Sequence, residues 1–290
     1  VSPMWEVGPS MRLLRSGAAP LVHRSWLDQV RPRVAAAGLD RGLLAEIVGP
    51  TGYVPDFINP LPDGPAPTLA AELDAIRAAD HRLRAMRADP ASQLPKLVKE
   101  IETYWELALG PYWARIRALL EGDVFHRARQ VAERGVRHVL NDLHADVSWT
   151  TGTLRVDRRP RTLARTAAGT GLLLIPATFV TQPQLRTLPD EPLQMAYTPR
   201  GVGALWEARR APRSEAVAGV LGRARAALLA ELQTPASTTD LAGRTGLTTP
   251  GASQHLTALR DAGLVSAHRA GRSVLYARTA VGEALLAAAG

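Results

Sequence analysis

The last quarter of the chain constrains the fold most, because its apolar spacing and its punctuation agree. From Ser214, a candidate helix N-cap, Val217, Val220, Leu221, Ala224, Leu228 and Leu232 recur at helical spacing on one face. Thr238 can cap a second, short helix holding Leu241 and Ala242, and Gly246 falls where a tight turn between helices needs a residue without Cβ. A third helix starts near Thr249, carries Ala252, Leu256 and Leu259 at i, i+4 and i+7, and stops at Gly263. Residues 264–269 and 272–278 are β-rich runs joined by the turn Ala270-Gly271, and Thr279 caps a last apolar helix from Ala280.

Helix, short helix, turn, helix, hairpin is the order of a winged helix-turn-helix, whose third helix must enter a major groove. Groove entry asks for small hydrogen-bonding residues on the outer face, and Thr249, Ser253, Gln254, His255 and Thr257 supply them. The Gln254 amide suits the bidentate pairing open on adenine, whereas His255 also reads as a half-buried structural residue. His268, Arg269 and Arg272 flank the wing turn, placed to reach phosphates or a minor groove. Thr238 and Thr239, at a helix start, offer a backbone phosphate contact. From Glu207 onward ten arginines face six carboxylates, so half of the chain's +8 falls on its last 84 residues, more than twice as dense where DNA would lie. A polar helix face is also what a merely solvated helix presents, and winged helices also dock proteins.

Residues 5–144 read as helices broken by Pro and Gly. Residues 49–68 carry six prolines and must form an irregular loop, while residues 112–143 fit one long helix or two. The period then changes: 147–149 and 153–156, split by Thr151-Gly152, spell a hairpin, and 171–176 and 193–198 spell further short strands. Residues 201–210 return to helix, and the basic, proline-containing stretch 209–213 marks the joint. The fold class expected is therefore α+β, mainly helical. Residues 1–210 form an N-terminal helical domain with a small sheet, and 211–290 form the winged helix.

Chemistry is sparse in the first domain. Tyr104, Trp105, Tyr112 and Trp113 place four of the chain's aromatic residues within ten positions. Beside Glu102, Glu106 and Arg115 they would suit an amphipathic small-molecule pocket, or they are ordinary helix-pair core. His138, Asn141, Asp142, His144 and Asp146 could ligate a metal, yet a helix end followed by a polar turn is written with the same letters. No Walker loop, His-Glu-x-x-His or Gly-x-Ser-x-Gly occurs, and Gly201-Val202-Gly203 has Trp206 where a third glycine should stand. The reading assigns no catalytic residue, no metal and no cofactor. The absence of cysteine excludes disulfides and thiolate sites. The longest apolar run, 171–180, is too short for a bilayer, and residues 1–20 lack a signal-peptide pattern, so a cytoplasmic, nucleoid-associated protein with no membrane partner is expected.

Residues 235–242, Gly246-Leu247-Thr248, Ser253-Gln254-His255-Leu256, 259–265 and 269–276 together resemble the ArsR family of bacterial winged-helix repressors, over about 214–286. The front portion resembles an uncharacterised N-terminal domain fused to such modules in actinobacterial regulators. That likeness rests on Ser2-Pro3-Met4-Trp5-Glu6, residues 52–57, Tyr104-Trp105-Glu106-Leu107-Ala108 and residues 200–207. Such relatives usually begin with a further strand-like segment, so the native chain is expected to start before Val1. The resemblance implies a homodimer that reads an imperfect palindrome in double-stranded promoter DNA, as a repressor released or retained by a signal. Many ArsR proteins sense metals through cysteines. This chain has none, which moves the signal, a small-molecule effector, to the N-terminal domain. The last helix is expected to help dimerise. Two other readings stand beside this one: a winged-helix adaptor that docks a protein partner, and an enzyme with a winged-helix regulatory tail.

Overall fold

Glycine and proline decide where most of these helices begin and end. The computed structural model describes residues 1–17, 20–50, 54–78, 90–157, 171–186, 191–206, 214–270 and 273–288, without the side chains of 90–92 and 214–216. The helices are α1 (Met4–Arg15), α2 (Arg24–Ala36), α3 (Leu43–Val48), α4 (Leu69–Ala78), α5 (Pro90–Tyr104), α6 (Trp113–Arg134), α7 (Val136–Asn141), α8 (Ser214–Leu221), α9 (Arg223–Glu231), α10 (Thr238–Thr245), α11 (Thr249–Asp261) and α12 (Ala280–Ala288). The strands are β1 (Val147–Thr150), β2 (Thr153–Val156), β3 (Leu172–Pro176), β4 (Gln184–Arg186), β5 (Leu193–Tyr197), β6 (Ala236–Ser237), β7 (Val265–Ala270) and β8 (Ser273–Arg278). The protein is α+β and mainly helical. Its chain sorts into two compact units, each assembled from three stretches.

The first unit comprises Val1–Leu21, Asp40–Ile101 and Leu119–Val202. The choice between one helix and two after Tyr112 resolves as two, split at Gly135. The β1–β2 hairpin pairs Val147 with Val156 and Thr150 with Thr153. Thr151 and Gly152 at its tip both have positive φ (47° and 79°), as the turns that match strand twist demand. The second sheet has the order β3-β5-β4, with β5 parallel to β3 and antiparallel to β4. Alternation along β5 sends Met195 and Tyr197 into a core with Val139, Leu140 and Leu143. Ala196 packs on the other side with Trp5, Ile175 and Ala177. The sequence reading missed β4, whose three residues are too few to show a period.

This core holds polar groups that need partners. The Glu6 carboxylate, wholly buried, accepts the backbone N–H groups of Thr178 at 2.6 Å and Phe179 at 3.2 Å. Glu72 accepts from the Ser2 hydroxyl and from the Met4 N–H at 2.9 Å. Burial outweighs these bonds and raises both carboxyls from 4.5 to about 7. The buried Tyr197 hydroxyl donates to Asp123 at 2.7 Å, and Arg127 reaches Asp142 at 2.6 Å.

The second unit comprises Val22–Leu39, Glu102–Ala118 and Gly203–Gly290. Its core joins Val217, Leu228, Leu232, Leu241, Leu256, Leu259 and Tyr276. Three expectations change in detail. The helix expected from Ser214 to Leu232 is two helices, because Gly222 takes φ 82° between them, which only glycine adopts without strain. The register therefore shifts: Val220 is 78% exposed, and Ala226 and Leu229 are buried in its stead. Of the helix expected over 201–210, the described residues 201–206 hold a 3-10 turn at Val202–Ala204 instead, and the rest, with the joint at 209–213, lies outside the described residues. The wing pairs Ala270 with Ser273, so Ala270, expected in the turn, ends the strand, and residues 271–272 lie outside the described residues. A short strand the sequence did not announce, β6, pairs with β8 to give the order β6-β8-β7.

Candidate nucleic-acid interface

The helix-turn-helix is built by its caps. Ser237, not Thr238, is the N-cap of α10: its hydroxyl accepts from the Asp240 N–H, while the Asp240 carboxylate accepts back from the Ser237 N–H. The letters Ser-x-x-Asp carried that reciprocal box in the sequence. The Ser237 hydroxyl also donates to the Asp240 carboxylate at 2.7 Å, and this bond, with that from the Ser237 N–H, holds the Asp240 carboxyl below its ordinary range. Gly246 closes α10 in the left-handed region (φ 71°, ψ 14°), and the Leu247 N–H returns to the Ala242 carbonyl. Thr248 then caps α11 by accepting from the Gly251 N–H, and Pro250 occupies the first turn, where its missing N–H costs nothing. At the far end the Leu264 N–H bonds the Leu259 carbonyl and the Gly263 N–H bonds that of Arg260, closing α11 in a Schellman motif.

With Ala252, Leu256 and Leu259 buried, rotation fixes what α11 shows outward. Thr249, Ser253 and Gln254 are exposed, Gln254 lying opposite the buried stripe, while His255 and Thr257 are half-buried at its flanks. Thr238 is half-buried and Thr239 exposed at the start of α10. Arg244, exposed in the last turn of α10, is a cation that the sequence reading did not single out. Arg269 is exposed on the wing, and Arg272 lies outside the described residues.

His268 is placed differently from its neighbours. Its ring faces the segment before α6, where residues 105–109 form a π-helical turn and residues 110–112 a 3-10 turn. Nδ1 sits 3.0 Å from Glu106 Oε2, and Nε2 sits 2.8 Å from the Ser266 hydroxyl. A carboxylate only accepts, so Nδ1 carries the proton and donates it to Glu106. Gly110 lies against the same ring: a Cβ there would stand 3.1 Å from Nδ1. The wing strand β7 is thus held at His268 by the π-helical turn.

The four aromatics expected to line a pocket pack to different depths, with Trp105 and Trp113 only half-buried. Tyr104 and Tyr112 are buried, and Trp105 and Trp113 meet edge to face at 5.0 Å. Tyr112 donates to Gln29 Oε1 and packs edge-on against Trp206, which stacks on Trp26 at 6.4 Å. Two indole N–H groups find partners here, Trp26 on the Ala108 carbonyl (2.9 Å) and Trp206 on His23 Nδ1 (3.0 Å). A small crevice beside them is lined by Tyr112, Arg115, Leu232, Gln233, Arg278 and Glu283. The residues weighed as metal ligands serve local bonds: Asn141 accepts the Trp149 N–H, Asp142 pairs with Arg127, and His144 accepts the Asp146 N–H. Among the described residues no group of three or more His, Cys, Asp or Glu side chains could hold a metal, and no helix is long and apolar enough to cross a membrane.

Capped α10, left-handed turn, α11 with an outward polar face and a three-stranded wing define a winged helix-turn-helix module. Residues 227–267 of it match the sequence model of a family described as "Bacterial regulatory protein, arsR family". No curated protein and no solved structure matches the chain. Fold and family model agree on a DNA-binding transcriptional regulator.

Proposed function

We propose that the chain is a repressor that binds an imperfect palindrome in promoter DNA as a homodimer and is controlled through its N-terminal region. The outward placement of Gln254 at the centre of α11's exposed face supports base reading most directly. Exposed Val220 on α8 and Val281 on α12 (78% and 61%) support pairing of two copies through the helices at the ends of the module. The DNA-binding module is taken from residue 211 onward, with residues 1–210 as the regulatory part, and no catalytic step is assigned to either.

The test is selection of genomic fragments by the full chain, followed by binding to a selected fragment across a salt series. A repressor of this kind shows a steep fall of log K with log salt, and Arg269→Ala flattens that slope by about 1 on every sequence. An adaptor that never touches DNA enriches no fragment.

Sensing in the first unit is supported by a buried amide that has no partner among the described residues. Gln194 on β5 is fully buried, and among the described residues neither its Oε1 nor its Nε2 has a hydrogen bond, nor does Trp5 Nε1. Each such group costs about 1–3 kcal/mol unless something polar meets it. Register places Gln194 beside Leu173, on the sheet face where Leu173 and Ala196 pack with Trp5. Gln194→Leu is expected to raise the melting temperature of the effector-free protein by several degrees, at roughly 1 kcal/mol or more of relief. A lowered melting temperature would make the amide a structural group instead.

A further inference from the structure

The outer side of α6 is the least expected surface of the molecule. Its inner side is set by Leu120, Asp123, Arg127 and Gln130, all buried. On the other side Val124 (41% exposed), Phe125 (74%) and Val131 (43%) share a stripe with exposed Ala128 and Ala132, and Val136 (54%) follows at the start of α7. At 100° per residue the five α6 side chains fall within about a third of the helix circumference, the width of an ordinary buried face. Nothing polar interrupts the stripe between Val124 and Ala132. An apolar stripe this contiguous marks an interaction site on a soluble domain.

We propose that this face packs against the same face of a second copy, the two α6 helices running antiparallel about a two-fold axis at Ala128. This rests on the homodimer reading and adds a contact outside the winged helix. Self-complementarity about that axis selects the occupant. Antiparallel pairing sets Val124 and Phe125 of one copy opposite Val131 and Ala132 of the other, and Ala128 opposite itself, where a small side chain lets the helices approach. Charge follows the same symmetry. Exposed Glu121, one turn after exposed Arg117, precedes the stripe and exposed Arg134 ends the helix, so antiparallel pairing sets Glu121 of each copy near Arg134 of the other, twice. Parallel pairing would bring like ends together. The flank of the stripe carries its own ion pair, Arg129 to Glu133 at 2.6 Å, and makes a polar rim.

The lack of native cysteine makes the contact directly testable in the full chain. Helices about 8–10 Å apart, with Cα atoms at a radius of about 2.3 Å, bring paired central residues within disulfide reach. Ala128→Cys is therefore expected to form a covalent dimer under mild oxidation, and adding Phe125→Glu should remove most of it. Ala75→Cys, on the exposed side of α4, is the control that stays uncrosslinked. If Ala128→Cys stays single-chain while the wild-type chain sediments as a dimer, the homodimer stands and this contact is wrong. If the wild-type chain sediments as a monomer and no cross-link forms, both fall.

Discussion

Arg278→Met is expected to lower the stability of the winged-helix unit by about 3–5 kcal/mol, the cost of stripping one partner from a buried ion pair. Arg278, on β8, is 7% exposed, and its Nε donates to the Leu229 carbonyl at 2.7 Å. A second nitrogen donates to the Ala230 carbonyl, and Nη1 lies 3.5 Å from Glu283 on α12. One guanidinium thus satisfies the last carbonyls of α9 and ties them to the terminal helix, favourably placed against the α9 dipole. Methionine matches its length and none of its donors, so two carbonyls and one carboxylate lose their partner together. Arg278→Lys should recover only part, because one ammonium cannot reproduce the fork. Urea unfolding at neutral pH measures this. A change below 1 kcal/mol would mean that the network is solvated in solution. Counted as a cation in the sequence, Arg278 is a structural cap, and the positive surface left for DNA is smaller than the charge count implies.

Stability of the first unit should fall as pH rises from 5 to 8. Glu6 and Glu72 have folded-state values of about 7 against 4.5 in an unfolded chain, because burial disfavours the charged form. Below about pH 4.5 both states hold the proton and neither is favoured. Between 4.5 and 7 only the folded chain keeps it, so each increment of pH releases protons on unfolding and weakens the fold. Above 7 the loss is complete and the dependence levels off. A shift of this size corresponds to about 3 kcal/mol per carboxyl, and both act in the same direction. Glu6→Gln combined with Glu72→Gln should remove most of the slope. A urea midpoint that stays level or climbs between pH 5 and 8 in the wild-type chain would contradict the burial argument.

What the sequence disclosed follows interaction range. The α10-turn-α11 unit is written locally: Gly246 and Gly263 mark the helix ends the sequence spells, while the cap of α10 falls at Ser237, one place before the expected Thr238. The β1–β2 hairpin is equally local, since Thr151-Gly152 sets its turn. What escaped is non-local. β4 and β6 are three and two residues long, and each exists only because a distant strand, β5 or β8, offers a ladder. Gly222 is one glycine inside a stripe that continues in phase for several residues, and the helix alone gives no reason to break there. The clasp on His268 joins residues 162 apart in the chain, and the π-helical turn that forms it has no single-residue signature. The outward set on α11 was legible because one buried stripe fixes the rotation of a helix; the aromatic group was not, since four rings spell a pocket or a core equally well.

The central claim is that α11 reads base edges through Gln254, and a specificity ratio tests it most directly. Affinity for a selected genomic fragment and for a scrambled duplex of the same length should be measured at one fixed salt concentration, for the wild-type chain and for Gln254→Ala. The predicted result is a cognate-to-scrambled ratio that falls by about 5–150-fold in the variant, the worth of one bidentate base contact, with affinity for the scrambled duplex unchanged. An unchanged ratio would contradict the claim and move sequence reading away from α11.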